Sequence, residues 1–147
     1  MDEKRYQELI NNAINSDPDQ RYMMANDLTE AIEREQIKDT GKVQQSVQLI
    51  LKQLEDEKDE VTNNALRCIS RLIKRLGEGE VGHIATYLIQ KLIDIPDCHG
   101  LWKMQDMFAS CLKSVIKEVP HTITGVLLNI FELALKGLDR DEARLKD

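Results

Sequence analysis

Aromatic residues are scarce in this chain: phenylalanine, tyrosine and tryptophan together make up 4% of its 147 residues. A core built on so few rings must be packed by aliphatic side chains, which suits helices lined by Leu, Ile, Val and Ala. Long apolar runs are missing too. No stretch approaches the roughly 18 residues that a membrane-spanning helix needs. Residues 1–15 carry Asp2, Glu3, Lys4, Arg5 and Glu8 where a secretory signal would carry its apolar segment. Positive charge is in deficit, with a formal net charge of −6. That is the wrong sign for a general phosphate-binding surface, because duplex binding is dominated by Lys and Arg neutralising phosphates. Neither nucleic acid nor membrane is therefore an expected partner. The cysteines Cys68, Cys98 and Cys111 are odd in number and form no CxxC, the pattern of small reduced thiols in a cytoplasmic or nuclear protein.

Chemistry-bearing motifs are equally thin. No GxGxxG, Walker loop, GxSxG or HExxH occurs, and Gly77-Glu78-Gly79 lacks the strand that would make it a phosphate loop. His83, His99 and His121 fall in three different turns or helix starts. Cys98 and His99 are adjacent in sequence, so they do not converge on one ion, and no further ligand arrives at zinc-like spacing. The expectation is no enzyme, no metal and no cofactor.

What the chain does carry is a helical hairpin at residues 51–76. An apolar helix end and an acidic turn lead into a second helix, where Val61, Ala65, Leu66, Cys68, Ile69, Leu72, Ile73 and Leu76 keep a 3.6-residue period. Shifted by 43 positions, Val61, Ala65, Ile69, Leu72, Ile73 and Leu76 fall on Met104, Phe108, Leu112, Val115, Ile116 and Val119. Shifted back by 41, they fall on Gln20, Met24, Leu28, Ala31, Ile32 and Glu35, apolar except at the two ends. This period lies in the range of about 40–47 residues of two-helix HEAT and armadillo units. The chain is accordingly expected to be an all-α HEAT-repeat solenoid in a single domain, 1–147. Repeat one covers 4–38, repeat two 42–76 and repeat three 80–119, with the first helix of a fourth at 121–138.

Within that frame, helices are expected at 4–15 and from the Ser16-Asp17-Pro18-Asp19 start to about Ile37. Asp39-Thr40-Gly41 and Gly77, Gly79 and Gly82 mark the breaks between repeats. The fourth-repeat helix is apolar on more than one side while the tail 139–147 is charged, so the chain reads as part of a longer solenoid, or as one capped by another copy or a partner. That helix is a candidate for self-association.

In such solenoids the second helices commonly line the concave, partner-binding side. The expected outward stripe is Asn63, Arg67, Ser70, Arg71 and Lys74 in repeat two. It is Tyr22, Asn26, Thr29, Glu30 and Glu33 in repeat one, and Asp106, Ser110, Lys113, Ser114 and Lys117 in repeat three. The charge grades from acidic to basic. Two readings stand side by side: adjacent rungs pair, Glu30 with Arg71 and Glu33 with Lys74, or Arg67, Arg71, Lys74, Lys113 and Lys117 form a basic strip for an acidic protein segment. Trp102 starts a second helix outside the matched apolar set, either as an interface anchor or packed over the turn beside Pro96. The candidate partner-binding residues are thus Tyr22, Asn26, Glu30, Asn63, Arg67, Arg71, Lys74, Trp102, Lys113 and Lys117.

Residues 17–28, residues 49–56 running on to Glu60-Val61-Thr62-Asn63 and Arg67-Cys68, and residues 112–120 resemble the first three repeats of the cullin-associated and neddylation-dissociated (CAND) proteins. The Asp17, Asp19, Arg21, Asn26, Asp27 cluster is the part that helix packing does not by itself demand. The chain also begins where that family begins; the turn around Cys98 to Gly100 departs from it, and family members are much longer. The resemblance implies a non-enzymatic regulator whose N-terminal repeats hold a cullin with its RING subunit, shielding the neddylation site and controlling the assembly of SCF-type ubiquitin ligases. A generic HEAT scaffold or transport-receptor-like module with another protein partner is the alternative, and a purely structural solenoid cap is a third.

Overall fold

The structure is a computed structural model and describes residues 1–94, 109–115, 117, 125 and 132. Among these residues the secondary structure is helical and no strand occurs, so the chain has the all-α helical-repeat fold that its period predicts. Two compact units are present, Met1–Leu76 and Gly77–Asp147.

The first unit holds four helices: α1 (Glu3–Asn11), α2 (Pro18–Glu33), α3 (Thr40–Lys52) and α4 (Asp59–Leu72). Their starts follow ordinary capping chemistry. The side chain of Asp2 accepts from the Arg5 N–H, Asp17 from that of Asp19 with Pro18 in the first turn, and Asp39 from that of Lys42. Asp39-Thr40-Gly41 is therefore a helix start, with Thr40 and Gly41 already in the first turn of α3. A Cβ on Gly41 would sit 3.1 Å from the capping Asp39 Oδ1, so any larger residue there would press on the cap.

Ends depart from the expected bounds more than starts do. α1 passes into a 3-10 turn at Asn12–Ile14. The tightening from about 3.6 to 3.0 residues per turn breaks the apolar stripe, so Ile14 is 92% exposed instead of sharing a face with the half-buried Leu9 and Ile10. α2 stops at Glu33, four residues before Ile37, because Glu35 takes a left-handed conformation with φ 59°. The Gln36 N–H then donates to the Ala31 carbonyl at 2.8 Å and the Glu35 N–H to that of Ile32 at 3.1 Å. These are the two bonds of a Schellman cap, formed here on a residue with a Cβ. Ile37 is buried beyond it.

Consecutive hairpins lie alongside each other, like helix against like helix. Tyr6 on α1 is buried and aims its hydroxyl at the Lys42 carbonyl (3.1 Å) and Gln45 Oε1 (3.0 Å) of α3, while the Lys42 ammonium lies 5.3 Å from its ring centroid. α2 and α4 share the most extensive contact in this unit. Met24, Ala25, Leu28, Ala31 and Ile32 are buried on α2, and Val61, Ala65, Leu66, Cys68, Ile69 and Leu72 on α4. Each helix thus covers the stripe that its neighbour cannot bury alone. Thr29, expected on the outward stripe, is fully buried and satisfies its hydroxyl on the Ala25 carbonyl at 2.7 Å, so the small polar residue is tolerated inside.

The turns inside the two hairpins are copies of each other. Asn15 and Asp56, related by the 41-residue shift, both follow a 3-10 turn in extended backbone. Each accepts on its side chain the N–H two residues on, from Asp17 and Lys58, at 2.9 Å. Arg21 ties the copies together. Its guanidinium donates to the Asn15 and Ser16 carbonyls (2.8 and 3.2 Å) and makes a two-pronged pair with Asp56 at 2.8 and 3.2 Å. At the equivalent place in repeat two stands Thr62, whose hydroxyl lies 3.4 Å from the Asp56 carbonyl and 3.3 Å from that of Gln53. Side-chain exposure at the pair is 13% for Arg21 and 9% for Asp56. Burial by itself would raise the Asp56 carboxyl's pKa, but the Arg21 guanidinium and the Lys58 N–H outweigh it and hold the group below its usual range.

In the second unit α5 spans Glu78–Asp94 and takes Gly79 and Gly82, read from sequence as break residues, into the helix. Val81, Ile84, Ala85, Leu88 and Ile89 form its buried stripe. Residues 109–115 are helical, with Cys111 and Val115 buried and Leu112 half-buried. Met104, Phe108, Ile116 and Val119 lie outside the described residues, as does the fourth-repeat helix expected at 121–138 except for residues 125 and 132. Among the described residues no helix is long and apolar enough to cross a membrane.

Two outcomes are expected. Glu35→Gly relieves the left-handed position and stabilises the fold by about 1 kcal/mol, read from urea unfolding; an unchanged or lowered midpoint contradicts the cap. Asp56→Ala leaves Arg21 without its carboxylate and lowers Tm at pH 7 by about 5 °C. Because the folded-state pKa of Asp56 is depressed, its contribution is complete above the ordinary value of 3.8 and is lost as pH falls below it. The gap between wild type and variant should hold from neutral pH to just above that value and narrow beneath it.

Candidate protein-binding face

Seven of the ten candidate residues come together in the first unit, on the water-facing edges of α2 and α4 and the short turn after α4. The register between the two helices is set by polar contacts beside the apolar seam. Asn64 Nδ2 donates to the Tyr22 carbonyl at 3.2 Å, and the Cys68 thiol to Asn26 Oδ1 at 3.4 Å, both across 42 residues of chain. Asn26 is thereby half-buried and spent on Cys68; Tyr22 and Asn63 are also half-buried. Burial of Cys68 pushes its thiol pKa up, which makes it a packing and hydrogen-bonding group and not a reactive thiolate.

One turn further on, charge takes over. Arg71 pairs with Glu33 across the two helices, while Glu30 turns back along its own helix to Arg34 at 2.7 Å. The expected partners Glu30 with Arg71 and Glu33 with Lys74 are therefore replaced. The register places Arg71 38 residues from Glu33, and Glu30 finds the i,i+4 cation nearer. Arg67, Arg71 and Lys74 are exposed, Lys74 in the 3-10 turn Ile73–Arg75, and Arg75 beside it is exposed as well. Ser70 is half-buried and returns its hydroxyl to the Leu66 carbonyl at 3.1 Å. The face thus carries a rank of cations on α4 against a shorter acidic edge on α2.

The remaining candidates belong to the second unit. Lys113 and Lys117 are exposed on the helical residues of the second unit, and Trp102 lies outside the described residues. Arg21, which the family-like cluster brought forward, is a brace between turns, and Asp17 of the same cluster is a helix cap. Sequence reasoning had no signal for the Asn15 and Asp56 turns, because a single Asn or Asp before a helix is common, and only their spacing of 41 marks them as equivalent.

A cleft of about 300 Å³ lined by Ala13, Ile14, Leu49, Lys52, Gln53, Glu55 and Asp56 is open, and its less exposed carboxylate, that of Asp56, is held by Arg21. No group of three or more His, Cys, Asp or Glu suited to a metal ion occurs among the described residues. Repeat proteins commonly use such faces on packed helices to receive another polypeptide.

Comparison with known proteins bears out the resemblance. Cullin-associated NEDD8-dissociated protein 1 of Drosophila melanogaster is 28% identical over 123 residues, which is 83% of this chain and 10% of the relative. The protein of the same name from Arabidopsis thaliana is 27% identical over 76% of this chain and 9% of its own length. Cullin-associated NEDD8-dissociated protein 2 of Mus musculus is 28% identical over 80% and 9%. The chain therefore spans about a tenth of the length of these relatives. A family model described as "Telomere length regulation protein" matches residues 44–134, from the middle of α3 onward and across more than half of the sequence. On that match, and with an all-α repeat fold beneath it, the chain belongs to the telomere length regulation protein family and is related to the cullin-associated NEDD8-dissociated proteins.

Proposed function

We propose that this chain is a non-enzymatic, protein-binding repeat segment of a cullin-associated regulator, and that it engages the cullin and RING end of a ubiquitin ligase through the outer edges of α2 and α4. The observation that carries the reading is the set of relatives whose names state cullin association, at 27–28% identity over 76–83% of this chain. The polar face supports it: Tyr22 and Asn63 give half-buried contact area, and Arg67, Arg71 and Lys74 give charge that water already reaches. Lys113, Lys117 and Trp102 are proposed to extend the same contact. The match to the telomere length regulation model, whose description names no cullin, is what favours a second reading, a helical-repeat scaffold for an unrelated protein.

A pull-down separates the two. Immobilised chain should retain a purified cullin and RING complex in its unmodified form and much less of the neddylated form. Arg67→Glu with Lys74→Glu should weaken retention about tenfold or more, since rim charges of the wrong sign cost both encounter rate and affinity. Failure to retain the unmodified complex defeats the cullin reading; retention undiminished by the double variant moves binding to another face.

A further inference from the structure

Arg71 stands in the middle of a cationic rank. Arg67 lies one turn before it, Lys74 and Arg75 one turn after, and all four are exposed. The only carboxylate that crosses from the neighbouring helix to this rank with a described ion pair is Glu33. The pair is not sealed: the side chain of Arg71 is 48% exposed and that of Glu33 is 29% exposed. An ion pair at this exposure is held weakly, because water and salt compete with it at all times. The next acid on α2, Glu30, is occupied by Arg34 and does not reach α4.

An exposed guanidinium with one carboxylate on one side of its fork, set among further cations, has the chemistry of a carboxylate receptor already filled by its own chain. We infer that the cationic rank of α4 receives an acidic peptide segment of the protein partner, and that Glu33 is the internal carboxylate which this segment displaces from Arg71. The inference rests on the protein-binding reading above and adds to it the partner's chemistry and a built-in competitor. Displacement exchanges one carboxylate for another at Arg71, so its cost is small. The gain comes from Arg67 and Arg75, which Glu33 on α2 does not reach. Glu33 thereby sets the threshold: an isolated carboxylate does not outcompete it, and a run of several does.

The test uses a fluorescein-labelled octaglutamate peptide, read by anisotropy at low ionic strength, with thermal melts confirming that each variant is folded. Wild type should bind with an affinity that falls as salt rises. Glu33→Gln should bind about two- to fivefold more tightly, the factor that an exposed ion pair commands. Arg71→Gln should bind more weakly, and in the Arg71→Gln background Glu33→Gln should add nothing. Glu30→Gln removes the same charge from the same helix and should leave binding as in wild type. An equal gain from Glu30→Gln reduces the effect to net charge and overturns the inference. So does a Glu33→Gln gain that survives the loss of Arg71, or the absence of any peptide binding while the cullin and RING complex is still retained. Sedimentation in which Arg71→Gln dissolves a dimer assigns the face to a second copy and overturns it as well. Peptide binding that follows this pattern without retention of the cullin complex upholds the inference on the acidic segment and removes only the cullin as its source.

Discussion

A repeat of two helices is unfinished until the next repeat lies against it in register, and in this chain one guanidinium ties the two hairpin turns together in that register. Arg21 holds the carbonyls of its own turn with one nitrogen and the Asp56 carboxylate of the next turn with the other two. The apolar seam between α2 and α4 supplies most of the driving force, but aliphatic side chains slide past one another at modest cost. A largely buried charge pair resists this, because a slip of one residue would part the Arg21 guanidinium from the Asp56 carboxylate. Thr62 occupies the same relation to its own turn but has no comparable reach.

The contacts on the outer face share that alignment. With Arg21 over Asp56, Tyr22 meets Asn64, Asn26 meets Cys68, and Glu33 comes opposite Arg71. The first two contacts use up polar groups that would otherwise be free to bind a partner. The third leaves charge only loosely committed. The face therefore divides along its length into a structural part near the hairpin turns and an available part toward the C-terminal end of α4. Tyr6 plays the matching role between α1 and α3, where a single hydroxyl answers two acceptors.

Much of this was legible beforehand, for a definite reason. Apolar residues at a 3.6-residue period report which side of a helix must be buried, and the recurrence of that pattern reports stacking. Met24, Leu28, Ile69 and Leu72 were assigned to the interior on those grounds and are buried there. The start of α2 was legible too, since Asp17-Pro18 carries its own capping chemistry. Helix ends were not. Glu35 enters the left-handed region without the glycine that usually announces it, and Ile14 turns to water only because the chain tightens after Asn11. Gly79 and Gly82 resemble punctuation in the sequence but are carried inside α5.

By itself, then, the sequence determined that the chain is a run of amphipathic helices that must stack, which residues face the seam, and that the exposed edge grades from acid to base. Those properties depend on local periodicity and residue type, and both can be read along one strand of text. Tertiary structure alone decided which carboxylate meets which cation. Glu33 and not Glu30 reaches Arg71, Thr29 is inside and not on the face, and Arg21 braces two turns instead of greeting a partner. Pairing across helices depends on axial offset and side-chain reach of a few ångströms, quantities that arise only when the two helices are laid together.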